Sequence, residues 1–502
     1  MSGAATQLPF NDSFGGNIVD VIGQHVVPLA SRAAIIDSRR TIDYRDLHGL
    51  ILRSASHLAT FGVTNGQRVG LMLQDHADHL VMIFACAALG AVSVSLNWRG
   101  KIDEKQRFAE AFGLELIVGD PGVRAPARAR TILLDEAWHA AVAATPPTVA
   151  MAAGPNTAFR ILLTSGTTGK PKGVELTHAG GIAWAQSVNL ALGLSGAHHH
   201  LSTLPLAFTG SLVFNLSLLL LGHTVELLPP LFTPQELIAK INAGGITGCV
   251  VVPTSLRRLL ALAPDTGPLF PALRYLVSAG APLTPDERRA ARQKLTLGFY
   301  DNYGASGAGP ITFLAPDDIE ARPDSVGRAA PLRQIEIVDD AGQAVPVGAI
   351  GRLRCKGVGV ASRFCNDPAD SATELFEGGW YYPGELARID GDGFVHIVGR
   401  TSDLIIRGGH NIYPSEVEQV LLGCSGVVEA AVVGRHNPEY GEDVLAFVRV
   451  IDSVSKQELF EACRRALTAH KVPVEIHFAA DFPRNDAGKV LRAELLRSVD
   501  TN

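Results

Sequence analysis

The chain has 502 residues, 47% of them hydrophobic and 19% charged, and its 50 acidic against 44 basic side chains leave a formal charge of −6. This composition is globular and excludes a disordered chain, and at about 100–200 residues per domain it allows two to four domains. With no Lys/Arg-rich block there is no electrostatic footprint for nucleic acid. Cys86, Cys249, Cys355, Cys365, Cys424 and Cys463 are scattered without a CxxC pair. They read as buried thiols in a reducing compartment, neither a disulfide frame nor a zinc site. The opening MSGAATQLPFNDSFGG lacks the basic and apolar blocks of a signal peptide, so a cytoplasmic protein is expected.

Along the chain, Asp43 is placed to cap a helix whose apolar residues Leu47, Ile51, Ala55 and Leu58 recur one turn apart. RVGLML then suits a buried strand, HADHLVMIFACAALG a helix, and AVSVSLN and ELIVGD further strands. Helices alternating with apolar strands predict an α/β fold of parallel sheets covered by helices. From about Ala125 to Asn156 the chain is rich in Ala, Pro and Thr and reads as a linker between two sheet subdomains. His198, His199 and His200 point in different directions with no carboxylate or Cys pattern around them, so they read as a solvated loop and no metal ligand is assigned. The most apolar stretch, SLVFNLSLLLLGHTVELL, is interrupted by Asn215, Gly222, His223 and Glu226. It falls short of a membrane span and reads as a buried helix leading into a strand. A boundary is expected near residue 400, where the strand-like GFVHIVGR gives way to DLIIRGGHNIYPSEVEQVL, which turns through glycines and a proline into an amphipathic helix. EAAVVG, VLAFVRV and KQELFEACRRALTAH then supply enough strands and helix for a small α+β domain over 400–502, beside a large portion over 1–399.

The stretch LLTSGTTGKPKGVELTH, Leu162 to His178, concentrates hydroxyls, glycines and lysines behind an apolar run. Glycines let main-chain N–H groups approach a ligand, hydroxyls add donors and lysine adds charge, which together suit an anion such as a nucleotide polyphosphate. A P-loop is rejected: only two residues separate Gly166 from Gly169-Lys170, and Pro171 stands where the magnesium-binding hydroxyl belongs.

TSGTTGKPKG resembles the phosphate loop of the adenylate-forming superfamily: acyl- and aryl-CoA ligases, luciferases and peptide-synthetase adenylation domains. Four further motifs support this in the family's order. SAGAPLT (Ser278–Thr284) resembles the adenine-binding strand end, with Gly280, Ala281 and Pro282. DNYGASG (Asp301–Gly307) resembles the motif of the adenine-stacking aromatic, with Asn302, Tyr303, Gly304 and Ser306. Gly379–Glu418 is similar to the ribose-binding segment and hinge, and PRNDAGKVLR (Pro483–Arg492) to the catalytic-lysine loop.

The resemblance implies a mobile C-terminal domain and two half-reactions, first acyl-adenylate formation with loss of pyrophosphate, then transfer to a thiol. It assigns pyrophosphate to Thr164, Ser165, Gly166, Thr167, Thr168 and Lys172, adenine stacking to Tyr303, two ribose hydroxyls to Glu385, and ribose hydroxyls or phosphate to Arg400. Lys489 would hold carboxylate and α-phosphate oxygens together, because two like-charged partners must be neutralised to react. After the first step the C-terminal domain would turn about a hinge near Arg400–Asp403 and withdraw Lys489. Gly408 and Gly409 would let a pantetheine arm approach closely, or simply make a turn. Phe208, in LPLAFTGSL, stands where the family gates its acyl pocket and fits as an apolar gate or simply as core, and Ala305, Gly307 and the small residues around them would leave room for a bulky apolar or aromatic acid.

Four positions depart from the family's pattern. Glu385 replaces the usual Asp, Ser402 stands at the hinge where Asp or Lys is usual, and Ser306-Gly307 replace Thr-Glu. That Glu ordinarily helps to hold magnesium, and glycine offers no ligand. ATP and Mg²⁺ are therefore expected with no side-chain metal ligand nominated, and coenzyme A is the expected acceptor. An amine (amide bond synthesis) or a carrier-protein thiol could take the same adenylate, and a non-catalytic adenylate-binding scaffold is the remaining alternative.

Overall fold

The computed structural model describes residues 16–147, 153–164, 171–229, 231–365, 376–484 and 490–500. They divide into two compact units: the residues up to 335 with 355–381, and 336–354 with the residues from 382 onward.

In the first unit, Asp43 caps the helix Tyr44–Thr60, its Oδ1 accepting from the Asp46 amide at 2.8 Å, and Leu47, Ile51, Ala55 and Leu58 are buried. Such a cap contributes about 1 kcal/mol. The strands Arg68–Met72, Val92–Ser95 and Leu116–Gly119 lie parallel, and the helix Ala77–Ala88 is buried along its whole length. That is why its sequence has no polar face. Ala158–Thr164 continues this six-stranded sheet in parallel, and Lys172–Thr177 closes it antiparallel. A nine-stranded sheet is parallel through its middle, including Tyr275–Ala279 beside Phe299–Ala305, and antiparallel at its edges. The apolar stretch forms the buried helix Thr209–Leu220 and then the strand Thr224–Leu227. Among the described residues no helix is long and apolar enough to cross a membrane.

Two expectations are corrected. The supposed linker contains a strand, Arg130–Leu133, paired parallel to Leu116–Gly119, and a helix, Glu136–Ala144, capped by Asp135. The strand is exposed at three of its four positions, and the helix is anchored only by Trp138 and Val142, so neither periodicity rises above the Ala/Thr composition. The histidine triplet is also no solvated loop. His199–Ser202 is a strand, His198 and His200 are buried, and the His200 ring stacks on Tyr275 with centroids 6.0 Å apart. Burial lowers the His200 pKa to about 3, so the ring sits neutral in the core. His199, on the opposite face, meets Glu226 at 2.9 Å.

The second unit is α+β, as expected. Glu385–Ile389 pairs antiparallel with Val395–Arg400. Ile405–Arg407, His410–Ile412, Val427–Asn437, Gly441–Val450 and Glu475–Phe478 form another sheet, on which the helices Pro414–Leu422 and Lys456–Ala466 bury Val417, Leu421, Leu459 and Cys463. The break expected between 399 and 400 falls inside this unit, at the end of Val395–Arg400.

Candidate active site

Thr164 ends one strand and Lys172 begins the next, directly opposite. The rest of the motif up to Pro171, residues 165–171, connects these two strands in the sequence. Ser165, Gly166, Thr167 and Thr168 themselves lie outside the described residues. The Lys172 Nζ stands 5.0 Å from the centroid of the Phe364 ring. Phe364 is fixed beside the lysine's strand by a bridge to Val174, and the next amide, Cys365 N, donates to Gly173 O at 2.9 Å.

The adenine-type motifs meet at the ends of two parallel strands. Ser278 lies beside Asp301 and Ala279 beside Asn302, so Gly280, Ala281 and Pro282 leave the sheet next to Tyr303. Ligands of open α/β sheets bind at such carboxyl ends. Gly280 has φ +97° and nothing within 4 Å of where a Cβ would stand, so its left-handed backbone, not crowding, calls for glycine. Asn302 Nδ2 donates to Thr312 O at 2.8 Å, and Arg288 Nε donates to Asp301 Oδ2 at 2.7 Å. Burial pushes the Asp301 carboxyl above its ordinary range, and the Arg288 guanidinium opposes that rise. Tyr303 is half-buried and packs on the cluster of Ala308, Ile311, Cys355 and Tyr381.

YGASGAG is a hairpin turn, Ser306–Ala308, between the strands Phe299–Ala305 and Gly309–Leu314. Ser306 Oγ accepts from Thr209 Oγ1 at 3.3 Å, and Phe208 immediately precedes Thr209 as the N-cap residue of its helix. The structure therefore brings Phe208 and Ser306 to one place. It does not bear out the room expected from the small residues. A Cβ on Gly307 would stand 2.7 Å from Cζ of Tyr381. One on Gly304 would run into the Gly309 carbonyl, and one on Gly309 into the Trp184 indole. These glycines are small because protein already fills the space. Tyr381 escaped the sequence reading; its only signal was the aromatic run Trp380–Tyr382 ahead of Glu385, in a motif read for its carboxylate.

In the second unit Glu385 is buried opposite Arg400, whose Nη2 lies 3.7 Å from Glu385 Oε1. Ser402 Oγ donates to Asp403 Oδ1 at 2.9 Å, and Arg492 ties Asp403 to Glu418 at 3.3 and 2.7 Å. Gly408 and Gly409, with φ +57° and +77°, form a two-residue turn between Ile405–Arg407 and His410–Ile412. Both positive values match the tightest hairpin geometry. Lys489 lies outside the described residues; Arg484 and Val490 pair across the segment that contains it. Among the described residues no group of three or more His, Cys, Asp or Glu could hold a metal ion.

Residues 25–364 match the AMP-binding enzyme family, and residues 416–489 match the AMP-binding enzyme C-terminal domain. The chain is 31% identical over 502 residues to an indoleacetate–CoA ligase of Aromatoleum aromaticum, covering 95% of this chain and 97% of that one. It superposes with a TM-score of 0.86 and 28% identity on an o-succinylbenzoate CoA synthetase of Bacillus subtilis in complex with the acyl-adenylate intermediate, covering 95% of this chain and 97% of the other. The same Bacillus subtilis enzyme with ATP and magnesium ion gives 0.84 at 27% identity, covering 95% and 99%.

Proposed function

The chain belongs to the AMP-binding enzyme family, and from that premise we propose that it activates a carboxylic acid with ATP and transfers the acyl group to coenzyme A. In the first half-reaction a carboxylate oxygen attacks the α-phosphorus and pyrophosphate leaves. In the second the CoA thiol attacks the acyl carbon and AMP leaves. The observation that carries this reading is the family match over residues 25–364 coinciding with a hairpin that sets Thr164 against Lys172 across the phosphate-type loop.

Thr164, Ser165, Gly166, Thr167, Thr168 and Lys172 hold the leaving pyrophosphate through N–H, O–H and ammonium donors. Gly280, Ala281, Pro282, Asn302, Tyr303, Gly304 and Ser306 border the adenine, Glu385 and Arg400 hold the ribose, and Lys489 bridges the two reacting anions. Preorganised charge of this kind is commonly worth two or more powers of ten in rate. Mg²⁺ carried on the ATP phosphates would neutralise part of their charge, and position 307, covered by the Tyr381 ring, would supply no ligand to it. Phe208 and Ala305 border the acid, and Gly408 and Gly409 the pantetheine arm. The functional boundary lies between 399 and 400, so that Lys489 belongs to a part that serves the first step and leaves it for the second. The cytoplasm suits a chain whose six cysteines form no disulfide.

The acid is aromatic or bulky and apolar, as in the indoleacetate–CoA ligase. Acid-dependent ATP–pyrophosphate exchange tests this. Aryl acids such as indoleacetate should support exchange and acetate should not; exchange with acetate alone would overturn the assignment.

A further inference from the structure

Three aromatic rings join the loop at Gly307 to Lys172. The place where a Cβ on Gly307 would stand is 2.7 Å from Cζ of Tyr381 and 2.9 Å from its Cε2. The Tyr381 ring stacks on Phe376, centroids 5.2 Å apart at 29°. Phe376 meets Phe364 edge-on, again at 5.2 Å and at 81°. Phe364 carries the Lys172 ammonium over its face at 5.0 Å, and its backbone is held by the Val174 bridge in the strand that Lys172 begins. Phe364 and Tyr381 are buried and Lys172 is half-buried, so these contacts are made with water largely excluded. Both stacked and edge-on geometries are favourable between rings, and a cation over a ring face gains most where it is desolvated.

We propose that Phe364, Phe376 and Tyr381 are positioning residues of the adenylation site: their stack fixes the Lys172 ammonium for the polyphosphate and occupies the ground beside position 307 where the family usually has a carboxylate. This rests on the reading of Lys172 as a pyrophosphate ligand. The ring takes the space that a side chain at 307 would need, and the stack behind it ends on the Lys172 ammonium. Lys172 receives its orientation from the ring face.

The test measures KM for MgATP, KM for the acid and inhibition by pyrophosphate in the exchange assay. Phe364→Leu keeps the apolar bulk and removes the π face. It should raise KM for MgATP and the inhibition constant of pyrophosphate roughly three- to thirtyfold, the range expected for one cation–ring contact, while leaving KM for the acid unchanged. Phe364→Trp, which keeps a ring face, should restore both constants. In a Lys172→Met background Phe364→Leu should add nothing, because the group it positions is gone. The far end of the stack is tested separately. Gly307→Ala should raise KM for MgATP by displacing the Tyr381 ring, and in a Tyr381→Leu background the same substitution should have no effect.

If Lys172→Met leaves KM for MgATP unaltered, the pyrophosphate reading itself is wrong. If Lys172→Met raises it but Phe364→Leu is silent or fully additive with it, the positioning role fails while that reading stands. Equal effects of Gly307→Ala with and without the Tyr381 ring would show that 307 and 381 are unrelated. Thermal melting of every variant separates these outcomes from misfolding. Should Phe364→Leu not fold, the 307–381 pair decides.

Discussion

The turn at Ser306–Ala308 and the turn at Gly408–Gly409 both join antiparallel strands and both use glycine, yet their surroundings are opposite. Around the first, a Cβ on Gly304, Gly307 or Gly309 would meet, in order, a carbonyl, the Tyr381 ring and the Trp184 indole. Around the second, a Cβ on Gly409 would meet nothing within 4 Å, and one on Gly408 only a Tyr440 ring carbon at 3.9 Å. In the first the glycines answer to packing from outside the turn. In the second they answer to the backbone, whose positive φ at both residues is costly for L side chains. Glycine content alone therefore does not mark open space. Under the functional reading the closed turn borders the adenylation chemistry and the open one the thiol.

The largest effect that tests this division is at Lys489. Lys489→Ala should lower acyl-adenylate formation about a hundredfold or more, because under the proposed function its ammonium neutralises charge in the first step only. Thioester formation from supplied acyl-adenylate should persist, and equal loss in both half-reactions would break the assignment of separate steps.

Next comes bulk at the open turn. Gly409→Leu should cut thioester formed per adenylate by about tenfold or more, while acid-dependent pyrophosphate exchange survives; crowding of this size typically costs about 1–3 kcal/mol. A normal thioester rate would show that the turn does not border the pantetheine arm.

Smaller, and read as stability, is Gly309→Ala. With φ +65° and the Trp184 indole where its Cβ would go, it should destabilise the first unit by about 1–3 kcal/mol, measured by thermal or urea unfolding. Gly409→Asn should do least, within about 0.5 kcal/mol, since asparagine tolerates the left-handed region and the site is open. Gly409→Asn as damaging as Gly309→Ala would erase the contrast between the turns.

The parts of the fold that were legible in the sequence are those written locally. Asp43 and the one-turn spacing behind it specify Tyr44–Thr60, and the continuous apolar run explains the buried Thr209–Leu220. The motifs were legible for the same reason, each being contiguous, and strand register then sets Thr164 against Lys172 and Ala279 beside Asn302. What stayed hidden depends on distant partners. Gly307 looked like room until Tyr381 was found against it, and His200 looked solvated until Tyr275 was found beneath its ring. The strand Arg130–Leu133 was missed because an edge strand with one buried residue has almost no period to read.

The measurement that bears most directly on the central claim is the fate of the adenylate. The protein, MgATP and an aryl acid that supports pyrophosphate exchange are combined and analysed by mass spectrometry, then again after adding coenzyme A and a panel of amines together. The account predicts an acyl-AMP mass in the first sample and its conversion to acyl-CoA in the second. Adenylate that ignores coenzyme A and appears instead as amide, or no adenylate with any acid, would contradict it.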